Sequence, residues 1–124
     1  MQELIIDSAE VFVLGPDVPR CRLAADMGEV YETLTLIRLQ TVCGLVGFAG
    51  VTTYSEHCFD EALGAALKSL LPTLIGQDAR HSDRIWRHLM GRYNSMTPRP
   101  QSAIDIALWD LKAKALDMPL YRLL

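Results

Sequence analysis

Cysteine is scarce and unpaired here: Cys21, Cys43 and Cys58 are odd in number, and none stands in a C-x-x-C spacing. That arithmetic offers no disulfide framework, and free thiols in a reducing cytoplasm are the simplest account. No apolar run reaches the length of a membrane span. The opening "MQELIIDSAEVFVLG" carries early acids and no basic start, so it does not read as a signal peptide. Charge of one sign is also missing. Twelve Lys and Arg stand against fifteen Asp and Glu, a net charge of −3, which gives no electrostatic reason to expect nucleic acid or an anionic membrane as partner. No serine sits in G-x-S-x-G, and the glycines form neither G-x-G-x-x-G nor a P-loop. Internal repeats and low-complexity stretches are absent as well.

What is present has the size and balance of one soluble domain: 124 residues, half of them hydrophobic. Leu4 to Leu14 is rich in Ile, Val and Phe and ends at Gly15-Pro16, which predicts a strand. Asp17 to Gly28 has no period and reads as a long loop, of the kind that carries function. From Val30 to Val42 the chain alternates, with Tyr31, Thr33, Thr35, Ile37, Leu39 and Thr41 on one face. Cys43-Gly44 then connects to "LVGFAG", predicting an antiparallel hairpin over residues 30 to 50. "VTTYS", Val51 to Ser55, is expected to be a second loop.

Beyond it the period becomes helical. Phe59, Leu63, Ala66, Leu67, Leu70 and Leu71 share one stripe, with Thr53-x-x-Glu56 or Ser55 as a cap and Pro72 as a stop. A second helix fits Ser82 to Tyr93 and buries Ile85, Trp86, Leu89 and Met90. The third starts near Gln101 or Ser102 and runs to about Leu116, with Ile104, Ala107, Leu108 and Leu111 as its stripe, and Met118-Pro119 ends it. The pattern predicts an α+β fold: a three-stranded antiparallel meander followed by a bundle of three helices.

Chemistry is harder to find. His57 and Glu61 stand at i, i+4 with Cys58 beside them, yet a solvated helix face explains them better than a metal site. His81 and His88 lack a carboxylate or thiol at ligand spacing. Lys112 and Lys114 form a K-x-K pair, an acid/base device when it projects from a strand end. On a helix the two point about 200° apart and cannot converge, so they are expected to be solvated. Asp110 and Lys114 make an i, i+4 pair worth only tenths of a kcal/mol if exposed. Trp109 reads as a core or interface anchor. By residues alone this is an α+β domain with no catalytic and no metal-binding constellation.

Several stretches nevertheless resemble one family. "SAIDIALWDLKAKALDMPLYRLL" is similar to the segment joining the capping domain to the barrel in the mandelate racemase and muconate lactonizing branch of the enolase superfamily. Its pattern is A-I-x-x-A-L-W-D, K-x-K-A-L, a break, then P-L-Y-x-L-L. "TLTLIRLQTVCGLVGFAG" resembles the family hairpin R-x-x-T-x-x-G-x-x-G-W-G-E, "LLPTLIGQDA" resembles L-x-P-x-L-I-G-x-D, and Ile85-Trp86 falls where a tryptophan-bearing helix is expected. Phe48 and Gly50 depart from the usual Trp and Glu. Asp117 replaces a glycine after the helix, which a left-handed cap tolerates at modest cost.

The resemblance implies an enolase N-terminal-domain-like fold over residues 1–124, ending at the junction to a (β/α) barrel these residues do not contain. It implies a parent enzyme that abstracts the proton α to a carboxylate with Mg²⁺, as a racemase, cycloisomerase or acid-sugar dehydratase. The metal ligands, the K-x-K base and the opposing base would lie in the barrel, so this chain alone is expected to be inactive. Arg20, Arg22, Met27 and Tyr54, in the two loops over the barrel mouth, are the expected substrate-facing residues. The partners expected are a carboxylate-bearing small molecule and a second copy of the chain, because Leu120, Leu123 and Leu124 leave an apolar tail to be covered. Two other readings stay open: a stand-alone binding or self-associating domain without catalysis, and a truncated product.

Overall fold

In a computed structural model, residues 3–15, 21–22, 29–55, 57–92 and 99–124 are described. Four strands precede the helices: β1 (Ile6–Leu14), β2 (Cys21–Arg22), β3 (Glu29–Thr41) and β4 (Val46–Ser55). β3 lies between β1 and β4, antiparallel to both, and β2 pairs only with the first residues of β3. The α+β meander expected from the sequence is therefore present, with β2 as an addition.

Alternation places the core as the sequence requires. Thr35, Ile37, Leu39 and Thr41 are buried, while Leu34, Leu36, Arg38 and Gln40 between them are half-exposed. The turn from β3 to β4 needs a left-handed residue, and Gly44 supplies it at φ +85°. Val51 to Ser55 is not a loop. Those residues continue β4, pairing with Thr35 back to Tyr31, because Val, Thr, Thr and Tyr are β-branched or aromatic and suit a pleated ladder better than a turn. Thr53 thus sits inside a strand, and the capping side chains expected before the helix lie outside the described residues.

The helices are α1 (His57–Leu70), α2 (Ser82–Arg92), α3 (Arg99–Ala115) and a final turn, α4 (Leu120–Leu123). α3 begins earlier than its stripe suggests because Pro100 is accommodated in the first turn, where its missing N–H is not needed. α4 was not foreseen; Pro119 in extended conformation starts it. Between α3 and α4, Asp117 adopts φ 50°, the left-handed cap expected of it. One apolar core joins these parts: Ile37 and Leu39 from β3, Leu63, Leu67 and Leu70 from α1, and Ile104, Leu108 and Leu111 from α3.

The stretch after α1 is sewn to β1 by main-chain bonds. Ile6 N–H donates to Gln77 O (2.9 Å), Gly76 N–H to Ile6 O (2.8 Å) and Ala79 N–H to Leu4 O (2.9 Å). That reach explains why Leu-Ile-Gly-Gln-Asp runs together: Gly76 turns at φ +79°, and Asp78 accepts Arg80 N–H at 3.0 Å to start a short 3₁₀ turn.

Candidate functional site

Of the four expected substrate-facing residues, Arg20 and Met27 lie outside the described residues. Arg22 and Tyr54 are described in their main chain. Arg22 pairs with Glu29 and Tyr54 with Glu32, so both are ladder neighbours of the first four residues of β3. The backbone thus brings two segments far apart in sequence to one end of the sheet, opposite the turn at Gly44. Tyr54 is carried by a strand rather than by a loop, which fixes its position more firmly than the sequence suggested.

The lysines of the K-x-K pair diverge, as helix geometry demands, but they are not free in solvent. Lys112 Nζ donates to Ser82 Oγ (2.5 Å) and lies 4.3 Å from the centroid of the Trp109 ring. Lys114 Nζ donates to Asp110 Oδ2 (2.6 Å) and to the Val46 carbonyl (2.8 Å), 5.2 Å from the Phe48 ring. Asp110 Oδ2 also accepts the Phe48 N–H at 2.8 Å. The reason is reach: a four-carbon stem lets a surface lysine lie along apolar neighbours and end on a distant acceptor. Lys112 ties α3 to α2, and Lys114 with Asp110 ties α3 to β4. Asp110 is therefore more than a helix-surface charge.

The two chain segments approach closely at this seam. A Cβ added at Gly47 would lie 2.5 Å from the Ala107 carbonyl oxygen and 2.6 Å from Leu111 Cγ. Only glycine lets β4 and α3 pack here without displacement, which gives G-x-x-G a physical meaning on each of its glycines.

Elsewhere on α3, Trp109, Lys112, Ala115 and Leu116 line a cleft of about 320 Å³ together with Leu4, Arg80 and Leu123. Burial raises the Asp105 carboxyl above its ordinary range, opposed by the Lys112 charge and a hydrogen bond from Trp109. Arg80 is engaged by Asp78 through Nε (2.8 Å) and Nη2 (2.5 Å), and these bonds are the main reason Asp78 is held below the usual carboxylate range.

Among the described residues no three His, Cys, Asp or Glu come together as a metal site. His57 and Cys58 belong to α1 by main chain, and their side chains lie outside the description. Hard Mg²⁺ needs several oxygen ligands in octahedral array, and the described residues do not provide one. Nor does any described helix have the length and hydrophobicity to cross a membrane.

Residues 8–124 match the family described as "Mandelate racemase / muconate lactonizing enzyme, N-terminal domain". A D-galactonate dehydratase family member from Oceanicola granulosus is 37% identical over 124 residues, covering 95% of this chain and 26% of that protein. A D-mannonate dehydratase from Rhizorhabdus wittichii is 39% identical over 93 residues, 71% of this chain and 22% of the relative. The chain thus spans about a quarter of the length of these curated relatives. Among solved structures, muconate lactonizing enzyme from Pseudomonas fluorescens, complexed with muconolactone, superposes with a TM-score of 0.81 at 25% identity, covering 98% of this chain and 34% of that one. By family match, sequence and fold alike, the chain belongs to the mandelate racemase and muconate lactonizing enzyme family, as its N-terminal domain.

Proposed function

We propose that this domain caps the active site of a Mg²⁺-dependent acid-sugar dehydratase whose catalytic barrel is supplied by further polypeptide. The observation that carries the reading is the match to a D-galactonate dehydratase family member and a D-mannonate dehydratase over most of this chain but only about a quarter of theirs. Racemisation and cycloisomerisation are the family's other outcomes, and the dehydratase names among the relatives favour loss of water. Mg²⁺, bound by the barrel, would supply Lewis-acid stabilisation of the substrate carboxylate. This chain's part is to hold and enclose. Arg20 and Arg22 offer guanidinium groups suited to a carboxylate, Tyr54 offers a hydroxyl to a sugar hydroxyl, and Met27 offers an apolar wall that excludes water. The enzyme is expected in the cytoplasm as a homo-oligomer.

The test is the mass and activity of the natural polypeptide. A protein several times longer than this chain is expected to convert D-mannonate or D-galactonate to a 2-keto-3-deoxy acid with Mg²⁺, and Arg22→Ala or Tyr54→Phe should raise KM. The isolated 124 residues should neither turn over these acids nor bind Mg²⁺ stoichiometrically in calorimetric titration. A full-length protein inactive on a panel of acid sugars would remove the reading. A natural product ending at Leu124, soluble and abundant, would favour the stand-alone interaction domain.

A further inference from the structure

We propose that the cavity between the 3₁₀ turn Leu71–Leu74 and α2 binds a small oxyanion that carries hydroxyl groups, a hydroxy acid or a phosphate ester, with Arg84 as the group that receives its charge. The inference goes beyond the capping role and does not depend on it.

Leu74, Ile85 and Leu89, all buried, form the floor of this cavity. Thr73 and Gln77 stand on one side of its rim, and Arg84 and His88 of α2 on the other. The helical period explains the division: Ile85 with Leu89 and Arg84 with His88 are both i, i+4 pairs, so an apolar row and a polar row run side by side. A volume of about 340 Å³ lies at the lower end of the range for small-molecule sites, and an apolar floor with a few polar groups is their usual make-up.

The guanidinium at the rim is uncompensated. Arg80 is paired with Asp78, and Arg87 with Asp83 at 3.6 Å. Arg84 makes no ion pair within 4.0 Å among the described residues, and no Asp or Glu lines the cavity. Asp83 adjoins Arg84 in sequence but stands about 100° round the helix. What Arg84 does touch is neutral: its Nη2 donates to Gln77 Oε1 at 3.2 Å. That bond orients the fork without cancelling its charge, and the other N–H groups are left for the stronger charge-assisted bonds.

The remaining polar groups complement a hydroxylated ligand. Gln77 is fixed by its main chain, whose N–H donates to Leu74 O and whose carbonyl accepts Ile6 N–H, both at 2.9 Å. With Oε1 turned to Arg84, its amide N–H groups are the ones left to donate. Thr73 Oγ1 gives its proton to the Leu70 carbonyl at 2.6 Å, so toward the cavity it can only accept. A ligand that satisfies this set brings a charged oxygen to Arg84 and Gln77 and an O–H to Thr73. A bare inorganic ion offers the first alone, and a neutral polyol the second alone.

The experiment labels the full-length protein with phenylglyoxal at constant ionic strength, then reads Arg84 by mass spectrometry with Arg87 as internal control. D-Gluconate and glycerol 3-phosphate are the probes; inorganic phosphate, glycerol and sodium chloride are the controls. At about 10 mM, at least one probe should slow labelling of Arg84 threefold or more and leave Arg87 unchanged, as a site of about millimolar affinity requires. Protection by gluconate identifies a carboxylate ligand and protection by glycerol 3-phosphate a phosphate ester; either supports the proposal. Inorganic phosphate should protect less than the better probe, and glycerol and chloride not at all. Gln77→Glu, which sets a carboxylate against Arg84, should abolish protection, and Thr73→Val should reduce the better probe to the level of inorganic phosphate. No protection by either probe, equal protection by chloride or by inorganic phosphate, or protection that survives Gln77→Glu overturns the proposal. So does slowing at Arg84 and Arg87 together. An Arg84 that labels tenfold more slowly than Arg87 before any ligand is added overturns it as well, because the cavity is then covered by other polypeptide.

Discussion

Replacing Gly47 by alanine tests whether the β4–α3 seam is as tight as its geometry says. The added Cβ would stand 2.5 Å from the Ala107 carbonyl oxygen, about 0.9 Å short of ordinary contact, and 2.6 Å from Leu111 Cγ. Neither neighbour can step aside cheaply, since the first is helix backbone and Leu111 is fully buried. α3 must move off β4, straining the 2.8 Å bonds from Phe48 N–H to Asp110 and from Lys114 to the Val46 carbonyl. Overpacking of this kind costs about 1–3 kcal/mol, and the reduced freedom of the unfolded chain returns about 0.4–1 kcal/mol. A net loss of about 1.3 kcal/mol lowers Tm by about 5 °C for a domain of this size. Gly91→Ala in α2 is the control, because nothing lies within 4 Å of its added Cβ. Better helix propensity there should raise stability by about 0.5 kcal/mol. Gly44→Ala separates strain from crowding: its surroundings are open but φ is +85°, so a loss of about 1–2 kcal/mol is expected from backbone alone. Thermal melts followed by circular dichroism decide the matter. If Gly47→Ala melts at or above the parent temperature, the close approach is not a constraint and the reasoning fails.

Three further outcomes are expected. Asp78, held low first by its Arg80 hydrogen bonds, contributes stability that is complete above the unfolded-state pKa of about 3.9 and is lost as pH falls through its lower folded value. Asp105, raised first by burial, acts oppositely: its ionisation removes stability as pH rises from about 3.9 through the higher folded value. Urea midpoints between pH 1.5 and 7 should therefore lose their acid limb in Asp78→Asn and rise at pH 7 relative to pH 3 in Asp105→Asn; parallel curves for both variants and the parent would contradict this. Thr35 is fully buried, and its hydroxyl has no hydrogen-bond partner among the described residues, so Thr35→Val should gain about 1 kcal/mol in the same denaturation assay. Alone, the 124 residues should self-associate through the tail: covering about 400 Å² of apolar surface returns about 10 kcal/mol before the cost of association. Sedimentation at tens of micromolar should show a dimer that Leu123→Glu with Leu124→Glu dissociates, and a compact monomer in both cases would refute it.

Where local pattern decides structure, the sequence was a sufficient guide. The alternation through Thr35, Ile37, Leu39 and Thr41 marked the buried face of β3, and the Ile104, Ala107, Leu108, Leu111 stripe marked the inner side of α3. Asp117 was readable as a left-handed cap because so few side chains tolerate that conformation. Val51 to Ser55 was misjudged since five residues after a glycine-rich hairpin look like punctuation, although the first four favour a strand. The partners of the lysines were hidden for a different reason. Nothing in K-A-K reports that Ser82 lies 30 positions upstream yet within reach of Lys112, or Val46 within reach of Lys114; such partners arise only when helices and sheet are assembled. That Arg22 and Tyr54 both pair near the start of β3 follows from strand register and not from any spacing in the chain.

The seam between β4 and α3 also has a temporal side. Phe48 and Asp110 are bonded across 62 positions, and Ile104, Ala107, Leu108 and Leu111 close the core from the far end of the chain. On a ribosome, the meander and α1 leave the exit tunnel first and must wait with their apolar inner faces uncovered. At about 5–20 residues per second, that delay lasts several seconds, long enough for exposed Ile37 and Leu39 to meet other nascent chains. Chaperone dependence should accordingly end abruptly, at the length of nascent chain that frees Leu111.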